Sequence, residues 1–166
     1  LVNRGIAGDT TKYLKKRFYT DAVQLQPRYC ILGIGINDFI ELEGSYWKKV
    51  EPTRYNQVVA TVKRYITQIV QQAKEENICL ILTSLLPILI DEKGKKNYIK
   101  ELNDWLAEVA KKNNLIFVNY YATMVFPGTD KPLDRITYDG LHPNAKGYQI
   151  MATVLRNTLK KHEILI

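Results

Sequence analysis

The sequence is poor in the residues that carry most protein chemistry. Its 166 residues include two cysteines, two histidines and two serines. Cys30, Cys79, His142 and His162 are far apart in the chain and give no zinc-ligand spacing. The two cysteines lie in apolar runs, so free thiols packed like small hydrophobes are expected, with a disulfide between neighbouring strands as the less favoured alternative. No run reaches the ~18 apolar residues that a membrane helix requires, and no signal-peptide pattern opens the chain. The glycines around Gly33 and Gly35 fail the spacing of a dinucleotide fingerprint, and no phosphate loop is present. Net charge is +7 and the pI about 9.3. The excess is scattered in pairs such as Lys15-Lys16, Lys48-Lys49 and Lys160-Lys161, with no compact basic block between aromatics. Solvated helix faces account for it, and nucleic acid is not an expected partner.

What is present is an ordinary globular composition, 46% hydrophobic and 25% charged, long enough for one domain over residues 1–166 with a sizeable core. Leu1-Val2 reads as the tail of a strand already under way. Asp9 is placed to cap a helix whose apolar positions are Tyr13, Leu14 and Phe18. Residues 29–35 read as a central, buried strand. Residues 41–53 read as an irregular loop that walls a pocket, with Thr53 capping the next helix. Tyr55, Val58, Val59, Val62, Ile66, Ile69, Val70 and Ala73 then form one clear helical stripe. Residues 78–84 are a second buried strand, 88–96 a loop with a Lys-rich tip, 97–113 a helix and 115–119 a short strand. A long connection covers 120–138, of the kind that is usually functional or mobile. Asn144 caps a last helix that turns Tyr148, Met151, Ala152, Leu155 and Leu159 inward. Strands alternating with helices predict a three-layer α/β/α sandwich with a parallel sheet.

The chemistry sits in the turns. Tyr138-Asp139-Gly140-Leu141-His142-Pro143-Asn144 holds an imidazole with a carboxylate three residues before it. Imidazole suits proton transfer near neutral pH, and a nearby carboxylate fixes its tautomer. Ordinary polar loop residues are the competing reading. Gly8 precedes a helix N-terminus, where backbone N–H groups favour an oxyanion; a plain strand-to-helix turn is the alternative. Asn37-Asp38 follows a strand, at the sheet edge that carries the crevice in parallel α/β folds. The Asn37 amide can donate to a developing negative oxygen; a helix-capping or turn-forming pair is the alternative. Convergence of these turns on one sheet edge, with His142 and Asn37 facing one cleft, raises them above their separate alternatives.

Three blocks, taken together, resemble the SGNH/GDSL esterase–lipase superfamily. They are Asn3-Arg4-Gly5-Ile6-Ala7-Gly8-Asp9-Thr10-Thr11, Gly35-Ile36-Asn37-Asp38 and Asp139-Gly140-Leu141-His142-Pro143. The resemblance covers essentially the whole chain. It implies a flavodoxin-like α/β/α fold and metal-free, cofactor-free hydrolysis of carboxylic esters such as lysophospholipids, short acyl esters or acetylated sugars. By the same resemblance His142 is the base, Asp139 orients it, and Gly8 (through its N–H) and Asn37 (through its side chain) are oxyanion-hole donors.

The resemblance breaks at one point. The family's first block, a strand ending in Gly-Asp-Ser, carries the nucleophile and is absent here. Neither Ser45 nor Ser84 has that context, so the chain as numbered is expected to lack the nucleophile and to be inactive. A truncated start is the favoured explanation, given the mid-strand opening. A non-catalytic relative that binds an acylated or carbohydrate ligand, or another chain supplying the strand, are the alternatives. Loss of a βαβ unit would open the sheet centre and leave backbone groups unpaired, so the chain alone is expected to fold poorly. Compartment and oligomeric state have no signature.

Overall fold

A computed structural model describes residues 1–43, 52–89 and 94–164. Ser45, Trp47, most of the expected pocket-wall loop and the tip of the Lys-rich loop lie outside the described residues. The fold is α/β, with a parallel sheet in the order β1-β2-β3 formed by Tyr29–Leu32 (β1), Cys79–Thr83 (β2) and Ile116–Val118 (β3). The helices are Thr11–Asp21 (α1), Ile36–Glu43 (α2), Pro52–Glu75 (α3), Lys95–Lys112 (α4), Tyr120–Met124 (α5) and Ala145–Lys161 (α6). The chain divides into two compact units, residues 1–81 and 82–166.

In the first unit α3 is the organising element. All eight positions of its predicted stripe, from Tyr55 to Ala73, are buried. Burying each larger apolar side chain there is worth about 1.5–3 kcal/mol. Phe18 of α1 is buried as well, and Lys15 Nζ donates to Gln72 Oε1 at 3.0 Å, linking α1 to α3. Phe39 of α2 lies against Tyr55 of α3, ring centroids 6.0 Å apart. Asn77 ends α3 by taking φ 57°, which lets the Ile78 N–H return to the Ala73 carbonyl at 2.8 Å. Asn tolerates that left-handed conformation better than most residues. Asn114 repeats the device after α4, with Leu115 N–H on the Ala110 carbonyl.

Five expectations for this unit need correction. Leu1 and Val2 form no strand and are exposed. The strand at 29–35 shortens to four residues and is an edge of the three-stranded sheet, which leaves Ile31 45% exposed. Asn37 and Asp38 are not in a turn between elements but in the first turn of α2. Asp9 does not cap α1: Thr10 holds the cap position without a side-chain bond, and Asp38 reaches across instead. Its Oδ2 accepts the Thr11 N–H at 3.0 Å and its Oδ1 the Thr11 hydroxyl at 2.6 Å. Asp9 pairs with Arg17, which also holds Asp21. Further along, Thr53 falls inside α3, which begins at Pro52.

Strand β2 is buried from Leu80 to Thr83, and in the second unit Ser84 N–H donates to the Val118 carbonyl at 3.0 Å. Ile99, Leu102, Leu106 and Ala110 of α4 are buried as the periodicity requires. The buried Asn103 side chain bridges the Leu85 N–H and carbonyl at 2.7 and 3.2 Å, pinning the chain as it leaves β2. The 120–138 connection is partly regular: it contains α5 and an antiparallel bridge between Val125 and Pro132. The last helix departs most from expectation. Of its five predicted inward positions only Leu159 is buried; Tyr148 is 58% exposed and Ala152 is exposed too. Helix α6 packs on α5 and β3, and that contact is narrower than its apolar stripe.

The two cysteines are free and half-buried, and burial pushes both thiols up from their ordinary value. Among the described residues no helix is long and apolar enough to cross a membrane.

Candidate functional site

The Asp139–His142 turn is built by a short antiparallel bridge between Thr137 and Pro143. Tyr138 N–H closes it on the His142 carbonyl at 2.9 Å, and Gly140, at φ 88°, takes a conformation that glycine adopts without steric cost. Leu89 N–H donates to the Gly140 carbonyl at 2.8 Å and ties the turn to the segment after β2. Asp139 uses both carboxylate oxygens. Its Oδ1 accepts from the Leu141 and His142 N–H groups at 3.0 and 2.8 Å. Its Oδ2 lies 2.7 Å from His142 Nδ1. The bond to the imidazole, followed by those two backbone N–H groups, holds the Asp139 carboxyl well below the usual carboxylate range. It is therefore an anion at any pH near neutral, and it favours the proton on Nδ1.

The two side chains are 67% and 54% exposed. An ion pair so exposed adds little stability, of the order of 0–1 kcal/mol. What the geometry supplies is orientation. With Nδ1 turned to the carboxylate, Nε2 is the ring nitrogen left to take up a proton.

In the other unit, Gly8 is exposed at φ 77°, a conformation that costs a non-glycine residue about 1–2 kcal/mol. It stands three residues before α1, within reach of that helix's partly positive end. Asn37 Nδ2 donates to the Asp9 carbonyl at 3.0 Å, which fixes the amide beside the Gly8-Asp9 turn. An amide nitrogen has two hydrogens, so one bond to Asp9 orients the group and does not exhaust it. The structure thus brings Asp139 to His142, and Asn37 to the Gly8-Asp9 turn. Ser84 is 4% exposed, and its Oγ accepts from the Tyr121 N–H at 2.9 Å; that is a structural role.

Sequence reasoning offers helix capping for the Asn37-Asp38 pair but not which helix: Asp38 ties α2 to the start of α1. The two partners are 27 residues apart, so no local pattern could signal the bond. Sequence reasoning missed a cleft of about 480 Å³ between α4 and the 120–138 connection, with Asp104, Phe117, Asn119, Tyr121 and Asp130 among its walls. Asp139 and His142 do not line it.

Comparison with known proteins places this geometry in context. A GDSL-like lipase from Bacteroides thetaiotaomicron superposes with a TM-score of 0.77 at 30% identity, over 97% of this chain and 76% of that one. An acetylxylan esterase from Geobacillus stearothermophilus is 22% identical over 161 residues, 92% of this chain and 68% of its own length. A solved structure of an acetylxylan esterase from that organism superposes with a TM-score of 0.73 at 21% identity, over 95% of this chain and 71% of that one. Residues 1–150 match the GDSL-like lipase/acylhydrolase family, and the chain belongs to that family.

Proposed function

We propose that the chain carries the base and oxyanion-binding parts of a serine-dependent carboxylic-ester hydrolase. The observation that supports this most is the 2.7 Å contact between Asp139 Oδ2 and His142 Nδ1. It gives the imidazole the tautomer that a general base needs. In the proposed reaction a serine hydroxyl attacks the ester carbonyl while His142 Nε2 takes its proton. The carbonyl oxygen becomes an anion, which the Gly8 N–H and the Asn37 amide stabilise. One such donor is worth ~2.7–4 kcal/mol of barrier. The imidazolium, stabilised by Asp139, returns the proton to the departing alcohol as the C–O bond breaks. Water then releases the acyl group from serine by the same steps, with His142 again as base.

The nucleophile is assigned to neither serine of the chain. Ser84 is buried and committed to Tyr121, and Ser45 lies outside the described residues. A short acyl ester on a sugar is the favoured substrate class. The supporting relative is the acetylxylan esterase, two of whose solved forms are catalytic variants, one at a histidine and one at a serine. A lysophospholipid has no comparable support. A role in binding an acylated or carbohydrate ligand without catalysis is the second reading.

The test treats two samples, the product of the complete reading frame and the 166-residue chain, with a serine-directed phosphonate. Labelling of the former, blocked by an acetylated xylooligosaccharide, and none of the latter is the expected result. Labelling of neither favours the binding role.

A further inference from the structure

We propose that Asn144 is a positioning residue for the Asp139–His142 pair, acting through its amide N–H groups and not only through the oxygen that caps α6. The pair stands on a turn whose two legs are residues 134–138 and 142–144. Asn144 ends the second leg and begins α6. Its Oδ1 accepts the Gly147 N–H at 3.1 Å, the ordinary N-cap bond. Its Nδ2 does something a cap does not require. It donates to the Arg135 carbonyl at 3.0 Å and to the Thr137 carbonyl at 3.2 Å, both on the opposite leg. The backbone N–H of the same residue donates to the Ile136 carbonyl at 3.0 Å. One residue therefore holds three successive carbonyls of the leg that leads into Asp139.

The neighbourhood supports a fixed register. Ile136 is fully buried. A Cβ at Gly147 would lie 2.3 Å from the Ile136 carbonyl oxygen, so the first turn of α6 is seated directly on this leg. Arg135 takes φ 57°, a conformation unusual for a long side chain, and its carbonyl is one of the two that the amide holds. The Thr137 hydroxyl in turn accepts the Gly140 N–H at 3.1 Å. Fixing Thr137 therefore fixes the turn that carries the carboxylate.

That this register matters for ester hydrolysis rests on the function proposed above; that Asn144 sets the pair's geometry does not. Capping and positioning separate chemically. Serine and aspartate cap helices about as well as asparagine, but aspartate has no N–H to give and serine has one short hydroxyl. Asn144→Ser and Asn144→Asp should keep α6 and lose the register.

The experiment reads the His142 ring nitrogens by 15N NMR in the product of the complete reading frame, at a pH where the ring is neutral. Amide-exchange protection of Gly147 and Tyr148 reports α6 alongside. In the wild type the ring proton is expected on Nδ1. In both variants α6 protection should persist while the proton redistributes towards Nε2. A wild-type tautomer retained in both variants would overturn the proposal. A second measurement does not depend on any variant folding: couplings across the hydrogen bonds from Asn144 Nδ2 to the Arg135 and Thr137 carbonyls. Both present supports the proposal, and their absence contradicts it. Neither readout involves turnover, so failure of the hydrolase reading would leave these results standing.

Discussion

Asp139 does two jobs with two oxygens. Oδ1 folds the turn by accepting two backbone N–H groups, and Oδ2 orients the imidazole. Asp139→Asn removes the anion and offers an N–H where the ring needs an acceptor. In the active protein kcat should fall by about 10³–10⁴-fold with the fold intact, which steady-state kinetics beside a denaturation curve will measure. The pH dependence has a definite sign. Because the folded carboxyl is held below its ordinary value, its contribution is fully present above the unfolded carboxylate value of about 3.9 and is lost only as pH falls further. A 13C titration of the Asp139 carboxyl should therefore show no step between neutrality and that value. Asn37 is the corresponding test of the oxyanion role. Asn37→Ala should lower kcat by about 10²–10³-fold with KM little changed, since the donor acts on charge that develops only in the transition state.

At the scale of elements, legibility in the sequence depends on whether a pattern is local. The α3 stripe was readable because eight apolar positions recur at helical spacing and all eight are buried. The helix-ending roles of Asn77 and Asn114 follow a local rule too, though only their backbone angles reveal it. A capping role for the Asn37-Asp38 pair is legible as an alternative, but that the helix capped is α1 is not, because Thr11 lies 27 residues away from Asp38. The α6 stripe misled, since periodicity states which face is apolar and not how much of it finds a partner. The motif residues Gly8, Asn37, Asp139 and His142 stand out in the sequence by their blocks, whereas the Asn144 amide contacts join residues whose pairing only the fold reveals. Two stability measurements follow. Ile66→Ala in α3 should cost about 2–5 kcal/mol, while Tyr148→Ser on the exposed side of α6 should change stability by no more than about 0.5 kcal/mol; urea midpoints compare them. Gly147→Ala should cost about 1–3 kcal/mol, because the new methyl meets a backbone carbonyl that cannot swing away.

For the whole molecule, composition sets expectations and assigns no activity. Scarce cysteine and histidine argue against a zinc site, scattered lysines against a nucleic-acid surface, and the glycine spacing against a dinucleotide. Family membership then came from three blocks in order, each unremarkable alone, and from a match that runs over residues 1–150. In the proposed function one of the two histidines does chemistry. His142 has a carboxylate on Nδ1, whereas His162 follows α6 and closes it through its backbone N–H. The most direct measurement is therefore hydrolysis of an acetylated xylooligosaccharide by the product of the complete reading frame, compared with His142→Ala and His162→Ala. A fall of about 10³-fold or more in kcat/KM for the first substitution, with the second near wild type, is the predicted result. Undiminished turnover in His142→Ala would contradict the account.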